Sequence, residues 1–255
     1  MIYIYLSDTF IMKDNFSTQA KAYSQYRPYY PKEMIEYIVS FVNGRNEALD
    51  VATGNGQVAG ALSPYFKMVY GTDISRKQLD NTVKADNVIY KEERAEVTSF
   101  GESQFDLITV AQAIHWFDFD AFYKEICRIL KPDGVFAVLG YGLFSATGDA
   151  AKLLNHFYYD ITGPYWDAER HYLDENYTTI PFPFKEPETK SFTNEFIWTF
   201  EQLTGYLETW SAVQHYIKQN STNPIDIIRD ELKEYWEKGD KKVTFPLLLR
   251  IGKLK

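Results

Sequence analysis

Residues 49–56 read Leu-Asp-Val-Ala-Thr-Gly-Asn-Gly, and this stretch decides the fold. The apolar run from Glu47 to Ala52 predicts a short buried strand, and a helical pattern from Gln57 to Tyr65 follows directly after Gly54 and Gly56. Glycine lets the backbone pass close to a ligand, and the free N–H groups of the next helix then face that ligand. The sequence therefore predicts a nucleotide-binding turn here.

The acidic residues after the next two strands indicate that the ligand contains an adenosine group. Lys67 to Thr72 predicts the second strand, and Asp73 at its end suits the two hydroxyls of a ribose. Glu96 follows the third strand, where its carboxylate can accept the adenine amino group or remain a solvated acid. Because Gly54, Gly56 and Ala59 also match the dinucleotide pattern G-x-G-x-x-A, a methyl donor and NAD both stay open.

Strands alternate with helices along the chain, and this order predicts an α/β fold with a doubly wound sheet. The further predicted strands are Val88–Lys91, Phe105–Val110, Val135–Leu139, Ser191–Thr199 and Lys242–Ile251, with a turn at Lys131–Gly134. The predicted helices are Lys32–Val42, Arg76–Ala85, Phe119–Leu130, Glu201–Ile217 and Pro224–Trp236. We expect one domain over residues 1–255, with a flexible extension (1–14), N-terminal helices (15–42) and an insertion rich in aromatics and prolines (143–190) that forms a lid.

Composition excludes several classes of partner. The formal charge of −8 repels a phosphate backbone, which argues against nucleic acid. The apolar start, Met1 to Leu6, is too short for a membrane span and lacks the features of a signal peptide. The single cysteine, Cys127, indicates a reducing cytoplasmic compartment and is expected to be a free thiol in a helix core. No metal-ligand spacing is present in the sequence, so no metal is expected.

Residues 49–56, 71–75, 105–108 and 130–134 resemble, in order and spacing, the successive motifs of class I S-adenosylmethionine-dependent methyltransferases. Residues 23–31, 111–118 and 206–211 are similar to the trans-aconitate methyltransferase-like branch of the type 11 group. The resemblance implies a Rossmann-like sheet of seven strands whose last strand is antiparallel. One departure is Ala52, which occupies the first glycine of the family's D-x-G-x-G-x-G. We expect a negative φ there, which alanine tolerates.

The resemblance also implies which residues hold S-adenosylmethionine. The methionine portion is expected near Asp50, Ala52, Thr53, Gly54 and Gly56, the ribose at Asp73 with Ile74, and the adenine beside Glu96 and Val97. The backbone of Ala111 and Gln112 is expected to face the sulfonium. The remaining donor-binding candidates are Tyr23, Arg27 and Trp116.

Methyl transfer mainly needs alignment of the nucleophile with the methyl carbon and exclusion of water, so few catalytic side chains are expected. His115 follows the fourth strand and can accept a proton, orient an acidic substrate or simply fix its loop. The other substrate candidates are Tyr26, Tyr141, Trp166 and Arg170. Arg170 or His171 can bind a carboxylic acid, in which case no general base is needed.

These observations predict transfer of a methyl group to a small molecule, at a carboxylate or hydroxyl oxygen, by a monomer or homodimer. An NAD-dependent oxidoreductase is the first alternative, because it shares the glycine turn and the acid that follows. A non-catalytic module that binds S-adenosylmethionine is the second.

Overall fold

The computed structural model describes residues 27–187 and 189–254, and its centre is a sheet of seven strands. The strands are β1 (Glu47–Val51), β2 (Met68–Asp73), β3 (Val88–Glu92), β4 (Phe105–Ala111), β5 (Leu130–Tyr141), β6 (Phe192–Ile197) and β7 (Lys242–Lys253). They lie in the order β3-β2-β1-β4-β5-β7-β6. β1 to β5 are parallel, and β7 runs antiparallel to both β5 and β6. The predicted sheet and its antiparallel last strand are confirmed.

The central strands are apolar on both faces because helices cover both faces. Alternate residues such as Ala48 and Leu49 enter two different core clusters, one on each side of the sheet. The helices are α1 (Lys32–Ser40), α2 (Gln57–Leu62), α3 (Arg76–Leu79), α4 (Phe119–Ile129), α5 (Gly148–His156), α6 (His171–Asp174), α7 (Phe200–Glu208), α8 (Ser211–Asn220) and α9 (Ile225–Lys238). Among the described residues, every helix is too short or too polar to cross a bilayer.

The prediction of one helix from Glu201 to Ile217 is wrong. The helix breaks at Thr209, whose hydroxyl bonds back to the Tyr206 carbonyl at 2.6 Å, and Trp210 adopts an extended conformation before α8 begins. Trp210 is thereby buried, and the Thr209 carbonyl is left to accept a hydrogen bond from Arg27 at 3.0 Å. The break therefore builds part of the site described below.

The predicted helix Arg76–Ala85 is also shorter than expected. Ser75 caps its start, but the helix ends at Leu79, because the chain turns back so that the Val83 N–H donates to the Asn55 carbonyl at 2.9 Å. The connection thus supports the glycine turn instead of extending the helix.

Two smaller expectations also need correction. Between β4 and β5 the register moves from Phe105 opposite Leu130 to Leu107 opposite Val135, so residues 131–134 form a bulge within β5 and not a separate turn. Cys127 lies in α4 as predicted but is exposed, because it lies on the solvent face of this amphipathic helix.

The segment 143–190 contains α5, a π-helical turn (Phe157–Ile161), two 3-10 turns and α6. In the π-helical turn the Thr162 N–H donates to the Phe157 carbonyl at 2.9 Å, five residues back. Such turns are rare and frequently occur at functional sites. Of the N-terminal helices predicted over 15–42, α1 lies in the described residues, and residues 27–30 are not helical.

Candidate active site

Two adjoining cavities lie where the parallel strands β1, β4 and β5 end. The first cavity encloses about 460 Å³ and the second about 490 Å³, each including its open mouth. Arg27 and Gln112 line both cavities. The first is also lined by Asp50, Ala52, Thr53, Gly54, Asn55, Ala111 and Tyr141, and the second by His115, Trp116, Trp166, Asp167, Arg170, Leu173, Trp210 and Ser211.

The glycine turn forms the floor of the first cavity. Gly54 and Gly56 have positive φ angles of 56° and 79°, which favour glycine. A Cβ at Gly54 would project into open space, so the turn leaves room for a ligand, whereas a Cβ at Gly56 would lie 2.2 Å from the Tyr90 hydroxyl. The turn therefore faces open space on one side and packs against the Tyr90 ring on the other.

The expectation for Ala52 is wrong. Its φ is +52°, in the left-handed region that alanine tolerates poorly. Its N-terminal neighbours belong to β1, and the Thr53 N–H donates to the Thr72 carbonyl of β2 at 2.8 Å. These constraints hold Ala52 in a conformation suited to the glycine that the family has there.

Asp50 is buried at the floor of the first cavity. Its two carboxylate oxygens accept hydrogen bonds from the hydroxyls of Thr53 at 2.6 Å and Thr109 at 2.7 Å. Burial raises the pKa of Asp50 to about 6 despite these bonds, and the nearby Asp73 carboxylate adds to the shift. Asp50 thus gives this cavity a carboxyl group that is easily protonated.

Asp73 supports the glycine turn from the end of β2. Its carboxylate accepts the backbone N–H groups of Gly54 at 2.9 Å and Ser75 at 2.8 Å. Carboxylate oxygens can accept more than one hydrogen bond, so this arrangement is compatible with binding ribose hydroxyls as well. Ile74 is half-buried beside it.

Glu96 and Val97 lie beyond the lining of the first cavity. The Glu96 carboxylate pairs with Arg94 at 3.4 Å and accepts the Asp118 N–H at 3.4 Å. Val97 is 71% exposed. Their predicted contact with the adenine stays a prediction.

Arg27 lies between the two cavities. One terminal nitrogen donates to the Tyr141 hydroxyl at 3.0 Å and the other to the Thr209 carbonyl at 3.0 Å. Tyr141, a substrate candidate from the sequence, lines the first cavity. Tyr23 and Tyr26 lie outside the described residues.

The second cavity carries positive charge and a hydrogen-bond donor. Arg170 packs over Trp166 at 4.7 Å, and its Nε donates to the Tyr158 hydroxyl at 2.9 Å and lies 3.3 Å from Asp174. Within the described residues, the two terminal nitrogens of Arg170 make no hydrogen bond. The buried Nε1 of Trp166 likewise lacks a hydrogen-bond partner across residues 27–187 and 189–254. His171 is exposed and does not line this cavity.

His115 lies in the short turn after β4 and is only 5% exposed. Burial lowers the pKa of His115 to about 3, and the Arg170 charge contributes, so the ring is neutral at pH 7. Its Nδ1 lies 3.2 Å from the Tyr177 hydroxyl. Trp116, a candidate for donor binding, lines the second cavity instead, with its ring centre 4.8 Å from that of His115.

Sequence reasoning missed several residues of this site, and three of them matter for its chemistry. Trp210 and Asp167 line the second cavity, and Tyr177 bonds to His115 from the segment 143–190. Trp210 belongs to a stretch that resembles the family, which was a usable signal. No pattern marked Tyr177 or Asp167.

The described residues contain no group of three or more His, Cys, Asp or Glu side chains arranged to hold a metal ion.

Comparison with known proteins identifies the family of the chain. Residues 49–138 match the family model described as a methyltransferase domain. A protein named as a methyltransferase in Dictyostelium discoideum is 33% identical over 94% of this chain and 95% of its own length. The protein named as the S-adenosylmethionine-dependent methyltransferase CRG1 of Saccharomyces cerevisiae is 26% identical over 91% and 93%.

A solved structure is also similar over nearly its whole length. It is described as a type II methyltransferase from Anaeromyxobacter dehalogenans, with a TM-score of 0.81 and 31% identity over 89% of this chain and 98% of that one. The chain belongs to the class I S-adenosylmethionine-dependent methyltransferases. S-adenosylmethionine is its methyl donor and S-adenosylhomocysteine its product.

The alternative of an NAD-dependent oxidoreductase is not supported. The glycine turn is common to both classes, but the antiparallel β7 and the whole-length relatives point to methyl transfer. The second cavity adjoins the first, and Arg27 and Gln112 line both.

Proposed function

We propose that the protein transfers the methyl group of S-adenosylmethionine to an oxygen atom of a small, negatively charged molecule. The observation that carries this proposal is that the two terminal nitrogens of Arg170 and the Nε1 of Trp166, at the second cavity, lack a hydrogen-bond partner among the described residues. The reacting oxygen belongs to a carboxylate or a hydroxyl. A similarity to the trans-aconitate methyltransferase-like branch, in which the acceptor is an acid, agrees with this charge.

The donor would occupy the first cavity. S-adenosylmethionine supplies a methyl carbon bound to a positively charged sulfur. Gly54 would leave space for its methionine portion, and Asp73 would accept the ribose hydroxyls while it holds the turn. Ala111 and Gln112, at the end of β4, would face the second cavity.

The charge of the second cavity supports an anionic acceptor. Arg27 and Arg170 contribute two guanidinium groups, and Asp167 contributes one carboxylate, so the lining is net positive. A guanidinium can bind a carboxylate through two parallel hydrogen bonds. The rings of Trp116, Trp166 and Trp210 also line this cavity and would provide apolar contact for the body of the acceptor.

Replacement of Arg170 tests the proposal. The protein is incubated with S-adenosylmethionine and a panel of small carboxylic acids and their neutral amides, and release of S-adenosylhomocysteine is measured. Arg170→Met should raise the KM of an accepted acid roughly tenfold to a hundredfold. This change corresponds to the loss of hydrogen bonds to a charged group, which contribute about 1.5–3 kcal/mol. The affinity for S-adenosylmethionine, measured by calorimetry, should not change.

Arg229→Met is the matched control, because Arg229 makes an exposed ion pair with Asp226 on α9, away from both cavities. It should leave both constants unchanged. Equal turnover of the acids and their amides would contradict the proposal. A cytoplasmic location, and the choice between a monomer and a homodimer, stay predictions.

A further inference from the structure

The two ring nitrogens of His115 have different surroundings. Nδ1 lies 3.2 Å from the Tyr177 hydroxyl, whereas Nε2 makes no hydrogen bond within the described residues. His115 lines the second cavity, so Nε2 is the nitrogen left to meet a ligand. Whether Nε2 carries a proton or a lone pair decides which ligands it accepts.

The hydrogen bonds around His115 fix the position of its proton. The Gln112 side-chain amide donates through Nε2 to the Tyr141 carbonyl at 3.0 Å. A carbonyl only accepts, so the amide oxygen of Gln112 must face the other way, toward the Tyr177 hydroxyl at 3.3 Å. The hydroxyl has one proton and donates it to this oxygen. Its own oxygen then accepts from Nδ1, which must carry the ring proton of His115, and Nε2 is left with a lone pair.

Tyr177 is held in a conformation that ordinary turn residues avoid. Both Asn176 and Tyr177 have positive φ angles, 55° and 60°, and the Tyr177 side chain is fully buried. Its ring fills the space that Gly140 of β5 leaves, since a Cβ there would lie 2.6 Å from the ring. Backbone strain of this kind is concentrated at functional sites.

Arg250 of β7 holds the backbone of the same turn. Its guanidinium donates to the carbonyls of Tyr177 at 3.0 Å and Ile180 at 2.7 Å, and pairs with Glu186 at 2.7 Å. The turn that carries Tyr177 is therefore bonded to the central sheet. This contact holds the Tyr177 hydroxyl in place relative to Gln112, which lines both cavities.

We infer that Tyr177 is a positioning residue that, with Gln112, holds His115 in its Nδ1–H form, so that Nε2 accepts the proton of a hydroxyl group on the methyl acceptor. This inference rests on the proposed function and narrows its acceptor to a hydroxy acid. The anionic group would bind Arg170 and Trp166, and the hydroxyl would face His115.

The proposed step conserves atoms and charge. The hydroxyl oxygen forms a bond to the methyl carbon as the carbon–sulfur bond breaks, and the electrons of that bond remain on sulfur. The sulfonium becomes a neutral thioether, and the hydroxyl proton moves to Nε2 of His115. A bare carboxylate is disfavoured as the nucleophile at this point, because it would place an acceptor oxygen against the Nε2 lone pair.

Nitrogen NMR of the histidine rings tests the positioning role without an acceptor. In the full chain labelled with ¹⁵N-histidine and loaded with S-adenosylmethionine, His115 should show a protonated Nδ1 and an unprotonated Nε2. Tyr177→Phe removes only the hydroxyl, and the ring should lose this preference and gain the Nε2–H form. Tyr159→Phe, a change at an exposed tyrosine of the same segment, is the control and should keep the wild-type spectrum. A wild-type ring protonated at Nε2 would overturn the inference.

Paired acceptors test the substrate class. The pairs 4-hydroxybenzoate and benzoate, salicylate and benzoate, and lactate and propionate differ by one hydroxyl. Turnover should be confined to members with a hydroxyl. For such an acceptor, Tyr177→Phe should lower kcat roughly tenfold to a hundredfold with little change in KM. This loss is part of the rate enhancement of about 10²–10⁴ that proton transfer to a positioned base contributes. Equal kcat/KM for both members of a pair would overturn the hydroxyl assignment. If no acid is methylated, the proposed function fails, while the NMR result still decides the role of Tyr177.

Discussion

One cavity is lined mainly by backbone and the other mainly by side chains, and this difference agrees with the donor and acceptor roles proposed for them. We call the glycine turn at residues 52–56 with Asp73 the donor wall, and Trp166, Arg170, Leu173 and Trp210 the acceptor wall. The donor wall presents mainly backbone, fixed by positive φ angles and by N–H groups bonded to Asp73. The acceptor wall presents side chains from α6, the adjacent turns and a helix break. A methyltransferase must bind one invariant donor, which suits a backbone cradle, and a particular acceptor, which side chains can select.

The largest expected effect tests how rigid the donor wall is. Gly56→Ala forces a Cβ to within 2.2 Å of the Tyr90 hydroxyl and 2.8 Å of its ring, at a φ of +79°. Tyr90 is held by its hydrogen bond to the Val83 carbonyl at 2.8 Å, so it cannot turn aside freely. We expect the free energy of unfolding to fall by roughly 3–5 kcal/mol, from overpacking plus backbone strain, and donor binding to be lost.

Urea unfolding and calorimetry with S-adenosylmethionine measure the two effects. Gly101→Ala is the control, because the nearest atom to its Cβ would be 3.7 Å away and its φ is not positive. A Gly56→Ala protein with wild-type stability and donor affinity would mean that the turn is soft and that the contrast between the walls is wrong.

The second prediction uses two buried titratable groups, one beside each wall. The pKa of His115 is lowered to about 3 by burial, so between pH 6.5 and 3 the unfolded chain binds more protons, and the contribution of His115 to stability falls as pH falls. The pKa of Asp50 is raised to about 6 by burial, so between pH 3.8 and 6 the folded chain binds more protons, and its contribution falls as pH rises.

Removing each group should therefore change the pH dependence in opposite directions. As pH falls from 7 to 4.5, the free energy of unfolding of His115→Gln should rise by roughly 2–3 kcal/mol relative to that of the wild type. As pH rises from 4 to 6.5, that of Asp50→Asn should rise by a similar amount relative to the wild type. Denaturant unfolding across pH 4–7 measures both. Other titrating groups cancel when each variant is compared with the wild type. Asp106 and Glu125, for example, have pKa values lowered by hydrogen bonds and charge pairing despite desolvation, and they contribute equally in all three proteins. Parallel curves for the variants would contradict the assigned burial.

The same contrast explains what could be predicted from the sequence. The sheet and the donor wall were predictable because strand periodicity, Gly54, Gly56 and the acid at position 73 encode backbone geometry locally. The acceptor wall depends on packing between distant segments. Trp210 reaches it only because α7 ends at Glu208, and helical periodicity from Glu201 to Ile217 gave no sign of that break.

Two further residues show where local patterns fail. Tyr177 adopts a positive φ without being glycine, because Gly140 and Arg250 hold it from other parts of the sheet. Ala52 does the same at the end of β1, although an alanine predicts a negative φ. Both conformations are imposed by tertiary contacts, which a sequence pattern does not contain.

The smallest expected effect concerns Ala52 and has the opposite sign to the first. Ala52→Gly removes the steric strain of a Cβ at φ +52°, worth about 1–2 kcal/mol, but adds the entropy of glycine in the unfolded chain, about 0.5–1 kcal/mol. We expect a net gain of about 0.5–1 kcal/mol in the free energy of unfolding, measured in urea, with donor affinity unchanged or slightly improved. Ala61→Gly, in the right-handed helix α2, should lose about 0.5–1 kcal/mol instead. If both variants lose stability equally, the strain at Ala52 is absent, and the donor wall is less dependent on backbone conformation than its glycines suggest.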